Sequence, residues 1–147
     1  MEYLNEIKVT YKRTKLEVLG TWNMGNSSDV EKLFRRIIAD EIDFREHFMI
    51  IFLNKGYYPI GFTTLSIGGI AGTVVDQKIL VGTALKCLAS APVICHNHPS
   101  GQLRPSRPDE VLTKDLKEKL SFFEITLIDH IIISSEGMFS FADNGMM

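Results

Sequence analysis

The chain has 147 residues, 45% of them apolar, and a formal charge of −2 at neutral pH. That length suffices for one domain with its own hydrophobic core, and the apolar share excludes a disordered or low-complexity chain. The near balance of charge excludes the basic excess of a dedicated nucleic-acid binder, while leaving room for a local basic patch.

Residues 7–18 read as an extended, partly exposed strand or pair of strands whose Lys and Arg side chains suit a sheet edge. Trp22 and Tyr11, ahead of the first helix, are expected to pack against the sheet. Ser27 or Ser28 is expected to cap a helix opening with Asp29. In it Val30, Leu33, Phe34, Ile37 and Ile38 form one apolar stripe, with acids early and Arg35 and Arg36 late, as the helix dipole favours. His47 to Leu53 is a continuous apolar run, the pattern of a central strand covered on both faces. His47 itself is expected at the surface or strand edge. Asn54–Tyr57 is a turn signal, and Tyr58 to Ile67 returns as a second strand rich in β-formers. Gly68, Gly69 and Gly72 break it, and 68–75 is a loop, either a lid or a connector. Asp76 is expected to cap a helix running to about Ser90, with Ile79, Leu80, Ala84, Leu85 and Leu88 inward and Cys87 on the core face.

Pro92 to Cys95 begins a short buried strand that ends in His96-Asn97-His98. Four of the five prolines lie between Pro92 and Pro108, so the stretch after the strand is rigid loop. Ser106 starts a third helix with Val111, Leu112, Leu116 and Leu120 on one side. Ile125 to Ser134 is a further strand, and Met138 to Ala142 a last short one. The expected fold is α/β of a mixed, α+β-like kind: a mixed sheet sandwiched by helices. One domain spans 1–147, with 1–20 peripheral and the core at about 20–145. No signal peptide is read at Met1–Glu6, and no apolar run is long enough to span a bilayer. The two cysteines, Cys87 and Cys95, form no CxxC pair. These features imply a cytoplasmic protein with reduced thiols and no membrane association.

The chemistry concentrates in residues 96–109. Residues i and i+2 of a strand point to one side, so His96 and His98 can converge on one metal ion. Gly101 and the prolines let the chain double back, so Asp109 at the start of the third helix can supply a third ligand. Two imidazoles and a carboxylate suit Zn2+, and three protein ligands plus water is the open arrangement of a catalytic site. A metal there brings the pKa of its water toward about 7. A hydrolase also needs a carboxylate that is not a ligand as proton shuttle. Glu46, at the mouth of the central strand, is one candidate, and Glu41 competes with it. Ser106 can donate to a developing oxyanion. A second reading stays open: Ser106-x-x-Asp109 is also a capping-box pattern, in which Asp109 serves backbone amides. Asp129 can orient a ligand histidine from outside, and His130 reads as a core histidine or as a group behind the ligands. Cys95 should face away from His96, which disfavours a cysteine nucleophile.

His96-x-His98-Pro99 followed by Ser106-x-x-Asp109, with Ser106 the seventh residue after Pro99, resembles the metal motif of the JAMM (JAB/MPN) metalloprotease superfamily. His96–Gly101, Pro105-Ser106-Arg107 and Asp129–Ile133 are similar to the signature of its bacterial RadC-like group. The resemblance spans about 20–145. It implies a JAB/MPN, cytidine-deaminase-like architecture, with His96, His98 and Asp109 on zinc, Glu46 as general acid/base and Ser106 at the oxyanion. It implies a metallopeptidase or isopeptidase acting on a peptide or isopeptide substrate. The helix-hairpin-helix region that usually precedes this domain in RadC proteins has no counterpart before residue 46, where no Gly-x-Gly hairpin occurs. The expectation is thus a stand-alone domain of catalytic type. Two alternatives remain: a DNA-associated accessory protein, in line with the group's historical DNA-repair label, using Lys8, Lys12, Arg13 and Lys15 or Arg104 and Arg107; and a non-catalytic MPN-like scaffold.

Overall fold

A computed structural model describes residues 4–8, 10–12, 23–68 and 75–147. Its centre is β1 (His47–Leu53), in which all seven residues are buried. β1 pairs antiparallel with β2 (Pro59–Ile67) on one side and β3 (Val93–Asn97) on the other. β3 runs parallel to β4 (Asp129–Ser134), which turns back antiparallel into β5 (Gly137–Ser140). The order across this mixed five-stranded sheet is β2-β1-β3-β4-β5. The turn between β1 and β2 is built on Asn54, whose side-chain oxygen accepts from the amides of Gly56 and Tyr58.

Strand alternation divides the core in two. Met49, Ile51, Leu53, Val93, Cys95, Ile131 and Ile133 meet helix α1 (Ser27–Ile38) through Val30, Leu33, Phe34 and Ile38. Phe48, Ile50, Phe52 and Ile94 face the opposite way, towards Leu80 and Ala84 of α2 (Gln77–Lys86) and Leu116 and Leu120 of α3 (Arg107–Ser121). Helices thus cover both faces of the sheet, as the apolar run of β1 requires. Arg35 extends the anchoring of α1: its guanidinium donates to the carbonyls of Ser134 and Gly137 at 2.9 Å each, where β4 turns into β5.

Several expectations are corrected. The cap of α1 is Asn26, whose side chain accepts from the Asp29 amide at 2.9 Å, so the helix already includes Ser27 and Ser28. Asp76 does cap α2, but the helix ends at Lys86. Leu88 then adopts a left-handed conformation (φ 55°) and is 83% exposed, and Ile79 and Leu85 are exposed as well. Only Leu80 and Ala84 of the expected inward set are buried: Ile79 and Leu85 each stand one position, about 100° of helix rotation, away from them, and Leu88 lies beyond the helix end. In α3, Thr113 is buried while Val111 is exposed. β4 starts at Asp129; Ile125 and Leu127 ahead of it are buried without strand geometry. His47 is a buried residue of the central strand, because β1 has neighbours on both sides. Tyr11 is 65% exposed and does not pack. Residues 4–8 and 10–12 show no strand, and the rest of the 7–18 segment, Trp22, Gly69 and Gly72 lie outside the described residues. Among those described, no helix is long and apolar enough to cross a membrane.

The two-layer core predicts unequal costs for similar truncations. Ile50→Ala, at a fully buried site of β1, should lower unfolding free energy by about 2–5 kcal/mol. Ile79→Ala, on the exposed side of α2, should change it by no more than about 0.5 kcal/mol. Urea unfolding followed by circular dichroism measures both.

Candidate metal centre

The carboxyl end of β3 meets the amino end of α3, and there the ligand-type side chains gather. His96 lies within β3; His98 is one residue beyond it, but its amide still donates to Ile133 of β4 at 2.8 Å. The strand geometry therefore continues and both imidazoles reach the same side. Their Nε2 atoms lie 2.8 Å apart. Asp109 Oδ1 is 3.4 Å from His96 Nε2, and Oδ2 is 3.9 Å from His98 Nε2. One ligand atom from each of the three residues falls within 4.8 Å of the others. The intervening loop turns through Gly101, whose φ of +83° lies where an L side chain would be strained.

Asp109 also closes a capping box. Its Oδ2 accepts from the Ser106 amide at 2.7 Å and from the Ser106 hydroxyl at 2.6 Å, while the Asp109 amide donates to Ser106 Oγ. The two readings of this carboxylate are not rivals: Oδ2 is held by the cap and Oδ1 is turned to His96. The cap holds the carboxylate where it faces the imidazoles.

The rings are fixed from behind. His98 Nδ1 lies 2.6 Å from the carbonyl of Gln102. His96 Nδ1 lies 2.8 Å from Nε2 of His130, whose Nδ1 lies 2.6 Å from Thr113 Oγ1. Phe48 stacks on His96 at 5.6 Å and Phe141 on His130 at 4.6 Å between centroids. His96 and His130 are wholly buried. Burial pushes His96 down to about 4; Asp109 opposes that shift and His98 adds to it. Burial, with the neighbouring His96 and His98, holds His130 well below its ordinary value. Asp129 does not reach His96 or His98, because it points to the other side of β4 from His130. Its carboxylate accepts from Ser140 Oγ, the Ala142 amide and the His130 amide, tying β4 to β5. Cys95 sits in the α1-side core, and burial raises its thiol.

A cleft of about 490 Å³ opens beside the cluster, lined among others by Glu46, His98, Ser106, Arg104 and Phe44. Glu41 is directed elsewhere: it accepts from Arg45 at 3.0 and 3.2 Å and meets His47 Nε2 at 2.7 Å. Arg107 pairs with Glu110, and Lys8 with Glu6; Arg13 and Lys15 lie outside the described residues.

Asn97 and Thr113 were not singled out from the sequence. Asn97, between the histidines, faces the α1 side and is buried. Its Nδ2 donates to the carbonyls of Ile42 (2.7 Å) and Arg45 (2.9 Å), and its Oδ1 accepts from the His47 amide (2.7 Å). It thereby clamps the segment carrying Glu46 to the end of β3. The available signal was positional: an amide on the apolar face of a buried strand must find partners.

Two outcomes follow. Asn97→Ala should cost about 2–4 kcal/mol, since two carbonyls and an amide lose their partner; urea unfolding reads it. In chelator-treated protein, stability should be highest between pH 6.5 and 9.0 and fall as pH drops from 6.5 towards about 4. The folded state refuses protons on His96 and His130 that the unfolded chain accepts. Asp129, raised by burial, acts in the opposite sense with one proton against two. Unfolding curves at a series of pH values test the sign.

Residues 24–146 match the model of the RadC-like JAB domain family. The chain is 35% identical over 130 residues to a UPF0758 protein of Flavobacterium johnsoniae, covering 88% of this chain and 56% of that one. It is 37% identical over 103 residues to the UPF0758 protein YfjY of Escherichia coli, covering 70% and 64%. It is 38% identical over 104 residues to a UPF0758 protein of Porphyromonas gingivalis, covering 70% and 46%. The chain thus spans about half the length of these curated relatives. With the sheet, its covering helices and the His/His/Asp cluster at the end of β3, these matches show that the chain belongs to the RadC-like JAB domain family of the JAB/MPN superfamily.

Proposed function

We propose that the chain is a zinc-dependent hydrolase of the metallopeptidase or isopeptidase type, cleaving an amide bond. The observation that carries this reading is the convergence of His96, His98 and Asp109 to within 4.8 Å beside an open cleft. Two imidazole nitrogens and a carboxylate oxygen form a donor set that zinc accepts, and three such ligands leave a coordination position for chemistry. Zinc held by these residues supplies Lewis acidity and brings the pKa of a water close to neutrality.

The chain's own residues divide the remaining work. Glu46 lines the cleft together with His98. Its carboxylate takes a proton from the attacking water and returns it to the departing amine nitrogen. Ser106 lines the same cleft, and its hydroxyl, which donates to Asp109 in this structure, can rotate to meet the developing oxyanion. Phe44 and Arg104 line the same cleft and offer an apolar and a cationic contact to a peptide substrate.

Metal analysis of protein purified without chelator should find about one zinc per chain, as a three-ligand site holds. His98→Ala should lose it. Glu46→Gln should keep the zinc while losing about 10²–10⁴-fold of the hydrolysis of a peptide or isopeptide mixture. Zinc that stays absent after reconstitution, or that binds His98→Ala as well as the unaltered protein, overturns the reading.

A further inference from the structure

We infer that Thr113 and His130 are positioning residues that dictate the tautomer of His96, so that a bare Nε2 and not an N–H faces Asp109 and His98. The inference rests on the reading of His96 as a metal ligand only for its functional meaning; the proton arrangement is a property of the chain alone.

The argument starts at one hydroxyl. Thr113 Oγ1 lies 2.6 Å from the main-chain oxygen of Asp109 and 2.6 Å from His130 Nδ1. A carbonyl oxygen can only accept, and at that distance from another oxygen a hydrogen must lie between them. The single hydroxyl hydrogen is therefore spent on Asp109. Thr113 Oγ1 has only lone pairs left for His130, so His130 carries its hydrogen on Nδ1. The His130 ring is wholly buried, which favours its neutral form, and a neutral ring with Nδ1–H has a bare Nε2. His96 Nδ1, 2.8 Å away, must then be the donor. His96 is buried and neutral in turn, so its Nε2 is bare.

Each donor in this chain points the same way: His96 to His130, His130 to Thr113, Thr113 to Asp109. The chain ends on the residue whose carboxylate stands opposite His96 Nε2 at 3.4 Å. Asp109 and Thr113 are four apart in α3, so a single helical turn presents the carboxylate and anchors the far end of the proton arrangement. Phe48 and Phe141 hold the two ring planes by stacking at interplanar angles of 16° and 12°. His98 Nδ1 donates to the Gln102 carbonyl at 2.6 Å, and the hydrogen in the 2.8 Å contact between the two Nε2 atoms lies on His98, which donates it to the bare Nε2 of His96.

Removing the hydroxyl frees His130 to carry its hydrogen on Nε2. His96 Nδ1 then becomes the acceptor, and the hydrogen of His96 moves to Nε2, where it blocks a metal. Thr113→Val removes the hydroxyl at nearly constant shape, and Thr113→Ser restores it.

Two measurements test the assignment. Long-range proton–nitrogen spectra of the metal-free protein should show His96 protonated on Nδ1 and bare on Nε2, and Thr113→Val should lose that signature. Competition with a chelator for Zn2+ should show Thr113→Val binding about 10–100-fold more weakly and Thr113→Ser within about twofold of the unaltered protein. Nε2–H on His96 in the metal-free unaltered protein overturns the inference. So does a Thr113→Val variant that remains folded by circular dichroism and binds Zn2+ as tightly as before. Should the protein bind no Zn2+ while His96 shows Nδ1–H and loses it in Thr113→Val, the metal reading fails and the tautomer assignment stands.

Discussion

The two-residue repeat of β3 is the constraint on which the site depends. Along Val93–Asn97 successive side chains alternate between the layer under α1 and the layer under α2 and α3. Cys95 and Asn97 go one way; Ile94 and His96 go the other. The parallel neighbour β4 puts His130 on the same face as His96, because Ile94 is registered with His130. The antiparallel neighbour β1 puts Phe48 opposite His96. One five-residue strand thus sets which groups surround the imidazole, and which hold the backbone on the far side. A slip of one residue in its pairing would exchange the two sets and place an asparagine where a histidine stands.

Much of this was legible in residue order. The bounds of β1 follow from the six apolar residues in a row behind His47, since a strand covered on both faces has no polar alternation to blur its ends. The pair His96 and His98 follows from strand period, and the start of α3 from Ser106 with Asp109 three residues on. What stayed hidden depends on neighbours distant in the chain. Asn97 meets Ile42, Arg45 and His47 some fifty residues away, and Thr113 meets His130 seventeen residues on. No local pattern carries such pairings. Asp129 looked able to serve a histidine, and it serves Ser140 and Ala142 instead, because the side of β4 it occupies is set by sheet register. In α2 the inward positions belong to Leu80 and Ala84, the adjoining Ile79 and Leu85 are turned to solvent, and the left-handed Leu88 falls after the helix end.

The capping box illustrates why two plausible uses of one side chain need not compete. A carboxylate has two oxygens and about four lone-pair directions. In Asp109 the oxygen turned to Ser106 completes the first turn of α3, and the other faces His96. The bonds that stabilise the helix start also remove the rotational freedom that a loosely held ligand would lose on binding.

The Asn97 clamp has a mechanical consequence. Glu46 belongs to the connection leading into β1, and connections of that kind ordinarily move independently of the sheet. Here one amide makes two hydrogen bonds to that connection and a third to the first residue of β1, attaching both to the strand bearing His96. The carboxylate at the cleft wall and the imidazoles therefore share one frame of reference. Thermal bending of the sheet carries them along together, so the separation between them is buffered against motions that displace the rest of the cleft rim.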